Sequence, residues 1–204
     1  MADGSLTPMG GAGQVVEADE TYFGSVQNPR KLSALGKPFR KQGGSVNKRA
    51  VVALVERGGK VRSFHVDRAD KPTVAKIVVD NIAHESRLHT DESQLYKGAD
   101  GVFASHETVN HAAKEYARGD VTTNTVEGVF SIFKRGMKGV YQHCKEKHLH
   151  RYLAEFDFRY NNRVALGIGD EGRAINAIKG ARGKRLTYRT TRGPNAGKET
   201  QIQV

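Results

Sequence analysis

The sequence predicts an α/β protein with its strands in the first half and its helices gathered mainly in the second. Three observations lead there. Short apolar or alternating runs between Gly-containing turns, the mark of strands, recur through the first half. The second half repeats apolar residues at three- and four-residue steps, the period of a helix with one buried face. The 204 residues, 37% hydrophobic and 7% aromatic with no Trp, suffice for one domain of ordinary size with a real core. No apolar run approaches the length of a membrane span.

Residues 1–13 are small and Gly-rich and lack the basic and apolar regions of a secretory signal, so they are expected to form a flexible lead-in. VVEADETYFG, residues 15–24, is the first expected strand and carries Asp19 within it. A basic loop follows over residues 27–49, punctuated by Gly and Pro, with seven Lys or Arg and no acid. AVVALV at 50–55 is the continuous apolar run of a buried strand, and ERGG turns it into KVRSFHVD, giving an antiparallel hairpin.

Asp70 caps the helical pattern DKPTVAKIVVDNIAHES, with Pro72 in its first turn and Val74, Ile77, Val78 and Ile82 on one face. RLHTDES supplies a short strand ending at Asp91, and another short strand is expected around His106 to His111. In TTNTVEGVFSIFKRG and the residues after it, Val126, Val129, Phe130, Phe133 and Met137 mark a buried helix face, with Thr122 or Thr123 as its cap. At about 100° per residue, Asn124, Glu127, Ser131, Lys134 and Lys138 form a second stripe beside the apolar one. Residues 146–163 read as a further helix with Leu149, Tyr152, Leu153, Phe156 and Tyr160 at core spacing, and a weaker helix around 171–179 precedes a basic tail.

A formal charge of +11 and a pI near 9.8 point toward a polyanionic partner, because neutralising phosphates releases counterions. Cys144 is the only cysteine, which excludes an intrachain disulfide and a multi-cysteine zinc ribbon within this chain and fits a reducing cytoplasm.

The order of elements, three strands in a meander, a helix, two more strands and then helices, resembles the RNase H-like fold: a five-stranded mixed sheet flanked by helices. In that fold the first and fourth strands are neighbours, which implies that Asp19 and Asp91 reach one site. Thirty-five residues separate Asp91 from Glu127, an interval resembling that of integrases and many insertion-sequence transposases. Carboxylates in such a set suit Mg²⁺, a hard ion held by a few oxygens plus water and substrate phosphate.

VEADETYFG, LHTDES, HETVNH, TNTVEGVFSIFKRGMKGVYQH and HLHRYLAEFDFRYNNR together resemble the catalytic domain of a bacterial insertion-sequence transposase of the Asp-Asp-Glu type. The resemblance implies a catalytic domain over about residues 14–165, followed by the weak helix and tail of 166–204. It also implies a tetrad of Asp19, Asp91, Asn124 or Glu127, and Lys134. Implied with it are two Mg²⁺ or Mn²⁺ ions held by Asp19, Asp91 and either Glu127 or Asn124, transposon-end and target DNA as partners, a homodimer or higher multimer on DNA, and a cytoplasmic, nucleoid-associated location. The activity implied is DNA cleavage and joining of the freed 3′-hydroxyl; a metal-dependent nuclease without strand transfer, or a degraded or domesticated domain that binds DNA without chemistry, are the alternatives. The sequence departs from the family in lacking the cysteines of its usual N-terminal zinc ribbon, which leaves three readings of how transposon ends are recognised: a catalytic fragment, a degenerate copy, or a domain that relies on another protein.

Arg30, Lys31, Lys37, Arg40, Lys41 and Lys48 of the basic loop, with Lys134, Arg135 and Lys138 of the helix, are the expected DNA contacts. Glu20 and Glu92 follow the two aspartates and by strand alternation face the other way, which leaves them outside the expected site. His89 is expected to be packed, with carboxylate orientation as the alternative. His143, Cys144, His148 and His150 match no strong zinc spacing and read as loop and helix surface.

Overall fold

The computed structural model describes residues 7–26 and 47–183. Within residues 7–161 a single five-stranded sheet has the order β3-β2-β1-β4-β5. Its strands are β1 (Val15–Phe23), β2 (Arg49–Glu56), β3 (Val61–Val66), β4 (Arg87–Asp91) and β5 (Ser105–Val109). β1, β2 and β3 run antiparallel, whereas β4 and β5 run parallel to β1. This is the mixed sheet of an RNase H-like fold.

The alternation of β2 explains why its sequence is apolar throughout. Val52 and Leu54 face one layer, where α1 (Lys71–Asn81) packs through Val74 and Val78 against Val16, Ala18 and Leu88. Val51, Ala53 and Val55 face the other, where α2 (Asn124–Gly139) and α3 (Leu149–Asn161) complete the core. A strand covered on both faces has no position for an exposed polar side chain. Asp70 caps α1 by accepting from the Thr73 amide at 3.2 Å and hydroxyl at 2.6 Å.

All five residues expected on the apolar face of α2 are buried. Its Gly136 lies where α3 crosses, and a Cβ there would meet the Phe156 ring. The Phe156 ring also stands edge-on to Phe133, centroids 5.4 Å apart. Glycine in mid-helix costs about 1 kcal/mol relative to alanine, and here it opens the space the aromatic ring fills.

α3 also closes the sheet's edge at β3. Asp157 accepts from the Ser63 amide at 2.8 Å and hydroxyl at 2.7 Å, while Asn161 accepts from the Val61 amide at 2.7 Å and donates to its carbonyl at 2.9 Å. Four helix residues advance about 6 Å and two strand residues about 6.6 Å, so side chains four apart on the helix match backbone groups two apart on the strand. The free edge is thereby covered.

Two features differ from the sequence expectation. The helix expected from residue 146 begins as a short 3₁₀ turn, Glu146–His148, before α3. A two-stranded ribbon, β6 (Ala117–Arg118) and β7 (Val121–Thr122), precedes α2 and was not expected, because two-residue strands carry no period. Residues 162–183 form a separate unit with α4 (Asp170–Ala181), where Asn176 donates to Asn162 at 2.7 Å. No helix among the described residues is long and apolar enough to cross a membrane.

Candidate active site

β1 and β4 carry the two aspartates. Their parallel register pairs Val16 with Leu88 and Glu17 with His89, so the same stagger carried two residues further sets Asp19 beside Asp91 on one face. Asp19 lies in the part of β1 that still pairs with β2, opposite Ala53, and its Oδ1 accepts the Glu20 amide at 2.7 Å. Burial, then Asp91, then Glu20 push the Asp19 carboxyl up to about 8, and Glu127 adds to the effect. Burial also raises Asp91, with Glu92 contributing; the Ser93 amide, 3.0 Å from its Oδ1, and His111 act in the opposite direction.

Glu127 approaches from the first turn of α2. Its Oε1 accepts from the Thr123 hydroxyl at 2.9 Å and stands 3.4 Å from His111 Nε2. Glu92 holds the segment that presents His111, accepting from the His111 and Ala112 amides at 2.9 and 3.0 Å. Thr123 occupies the N-cap position of α2, yet its hydroxyl serves Glu127 and makes no capping bond. Thr122 instead accepts the Asn124 amide at 3.0 Å.

A cleft of about 600 Å³ is lined by Asp19, Glu20 and Thr21 of β1 and by Glu127, Phe130, Ser131, Lys134, Arg135 and Lys138 of α2. Acids at one end and cations at the other thus share one opening. The expected second stripe of α2 supplies Glu127, Ser131, Lys134 and Lys138 to it, whereas Asn124 is exposed and does not line it. Lys48, exposed before β2, does not line it either. Arg30, Lys31, Lys37, Arg40 and Lys41 lie outside the described residues.

Glu20 departs from the expectation. Strand alternation does turn it toward the layer of Tyr96, whose hydroxyl donates to it at 3.1 Å. Near the end of the shared strand pair, however, that face is not insulated from the other: Glu20 lines the cleft, and burial followed by Asp91 raises its carboxyl. Glu92 does stand apart, spent on the backbone of residues 111 and 112. His89 is fully buried, its Nδ1 3.4 Å from Arg57 and its Nε2 3.4 Å from Glu107, and burial followed by Arg57 lowers its pKa. His111 and Tyr96 were not singled out in the sequence, and Thr123 was read only as a cap, not as a partner of Glu127. The motif HETVNH marks His111 as a residue to watch, but nothing local gives it a carboxylate to face.

The donor set is all oxygen: Asp19, Asp91 and Glu127, with Glu20 beside them. That composition fits Mg²⁺ or Mn²⁺, and carboxyls that repel one another's charge fit a site completed by a cation. Among the described residues no three His, Cys, Asp or Glu side chains stand together as a ready metal cage. Glu127 is engaged with Thr123 and His111.

No curated protein matches the chain. The model of one protein family does, over residues 11–161, and that span takes in the whole sheet, the acids of β1 and β4, and the helix bearing Glu127 and Lys134. The chain therefore belongs to the ISXO2-like transposase family.

Proposed function

We propose that this transposase domain cuts DNA at the ends of an insertion sequence and joins the freed 3′-hydroxyl to target DNA, with two Mg²⁺ or Mn²⁺ ions at Asp19, Asp91 and Glu127. The observation that carries this reading is the cleft itself, where the crowded carboxyls of Asp19 and its neighbours open directly onto Lys134, Arg135 and Lys138. When bound, such ions activate the attacking water or hydroxyl and take up charge on the leaving oxygen.

The protein's own residues divide the remaining work. Asp19 and Asp91, fixed on neighbouring strands, give the rigid half of the ligand set. Glu127 brings a third carboxylate from α2 and is preferred to Asn124 because it lines the cleft and adds negative charge. Lys134, two turns along the same helix, holds a scissile-strand phosphate by charge, and Arg135 and Lys138 extend that contact. Two copies of the chain on paired ends complete the reading.

The test is cleavage and joining of labelled DNA carrying the element's ends, with Mg²⁺ or Mn²⁺, by the wild type and by Asp91→Ala, Glu127→Ala and Asn124→Ala. Joined product that vanishes in Asp91→Ala and Glu127→Ala but survives in Asn124→Ala is expected. Cleavage without joined product would leave a nuclease; binding without cleavage under either metal would leave a DNA-binding domain.

A further inference from the structure

We propose that Glu17 is a positioning residue that sets where Glu127 stands relative to Asp19, by capping α2 from within the sheet. The inference rests on the metal-site reading above. The first turn of any helix has amide groups with no partner inside the helix, and a local Ser, Thr, Asp or Asn ordinarily takes them. In α2 the local candidate, Thr123, gives its hydroxyl to Glu127. The cap comes instead from β1: Glu17 Oε2 accepts the Thr125 amide at 2.8 Å and the Val126 amide at 3.0 Å, and Oε1 accepts the Thr125 hydroxyl at 2.8 Å.

Glu17 has no exposed surface, a costly place for a carboxylate unless every lone pair is used. Arg57 supplies the remaining partners, with Nη2 at 2.7 Å and Nε at 3.2 Å from Oε1, and the positive end of the helix adds to the balance. Arg57 also donates to the Asp120 carbonyl at 2.7 Å, so the chain entering α2 is tied to the same point. Glu17 and Asp19 share a face of one strand, about 7 Å apart along it. Glu127 follows directly after Val126. One strand therefore holds both a metal ligand and the anchor of the helix that brings the next ligand, and a shift of the anchor becomes a shift between ligands.

Direct Mn²⁺ binding, followed by electron paramagnetic resonance on the full chain without DNA, reads this without turnover. Glu17→Gln keeps the shape but replaces one accepting oxygen with a donor, facing donors. Mn²⁺ binding about ten- to a hundredfold weaker is expected, the usual effect of losing a group that orients a ligand. Thr125→Val, which removes only the hydroxyl, gives a smaller loss and carries the test if Glu17→Gln does not fold by circular dichroism. In a Glu127→Ala background the Glu17→Gln loss shrinks to less than about threefold, because the ligand it positions is gone. Asn161→Ala, which loosens α3 at β3, leaves Mn²⁺ binding unchanged.

Wild-type-like binding by Glu17→Gln, when Asp91→Ala abolishes binding, overturns the proposal and leaves the proposed function standing. A Glu17→Gln loss that persists in full without Glu127 overturns it too, since Glu17 would then be a structural cap alone. If the wild type binds no Mn²⁺, or Asp91→Ala binds as the wild type does, the metal-site reading fails and takes this inference with it.

Discussion

Asp19 in the cleft and Asp157 at the β3 edge are both shielded aspartates whose carboxyls are raised, to about 8 and about 6, and in both burial is the largest cause. Their surroundings then diverge. Asp157 meets the amide and hydroxyl of Ser63, which favour its ionised form and offset part of the burial penalty. Asp19 has one backbone amide and otherwise meets Asp91, Glu20 and Glu127, which add to that penalty. An acid supplied with donors is settled by the fold, whereas an acid surrounded by acids is left with charge repulsion that a bound cation would relieve, as the proposed function requires.

The largest expected effect separates the two at the level of chemistry. Asp91→Ala lowers DNA cleavage by about a thousandfold or more, the scale of several kcal/mol of lost transition-state stabilisation, while Asp157→Asn leaves the rate within about threefold. Single-turnover cleavage of labelled DNA measures both. Equal losses would break the distinction.

Stability gives the converse order. Asn161→Ala leaves the Val61 amide and carbonyl without their partner and is expected to cost about 1–3 kcal/mol in urea unfolding. Gly136→Ala, on the other side of α3, is expected to cost about 1–3 kcal/mol as well, because the added methyl meets Phe156; a stabilised variant would show that α3 moves aside freely.

The smallest effect sharpens the comparison through pH. A raised carboxyl binds its proton more tightly in the folded state, so its contribution is present below the ordinary value of 3.8 and is lost as pH rises, through about 6 for Asp157 and about 8 for Asp19. Metal-free protein therefore loses stability over both windows. Of the two, only Asp19 acts above about pH 6, so Asp19→Asn removes the loss between about 6 and 8, Asp157→Asn makes the loss below about 6 shallower without removing it, and added Mn²⁺ abolishes the upper loss by holding Asp19 ionised. Thermal unfolding across pH 4 to 9 measures this; an upper window that survives Asp19→Asn would assign it elsewhere.

Much of this architecture was legible before any coordinates. The buried stripe of α2, the cap of α1 at Asp70 and the doubly buried β2 follow from period and residue type, which act over a few neighbouring residues. The pairing of Asp19 with Asp91 was legible from element order, because the first and fourth strands of such a sheet are neighbours. Glu20 faces Tyr96 as alternation predicts and still lines the cleft, because alternation fixes a side chain's face and says nothing of how well the two faces are insulated near a strand's end.

By itself the sequence determined which longer segments become strands and helices, which faces are apolar, and which acids and lysines are available, since each depends on local spacing; the two-residue strands β6 and β7 were beyond its reach. Only the tertiary structure decided that Glu17 caps a helix more than a hundred residues later, that Thr123 and His111 engage Glu127, and that Tyr96 meets Glu20. All but the Thr123–Glu127 contact, which spans one helical turn, join groups far apart in the chain. Their partners are chosen by how the layers pack, because a buried polar group must find whatever donor or acceptor the packing brings within reach.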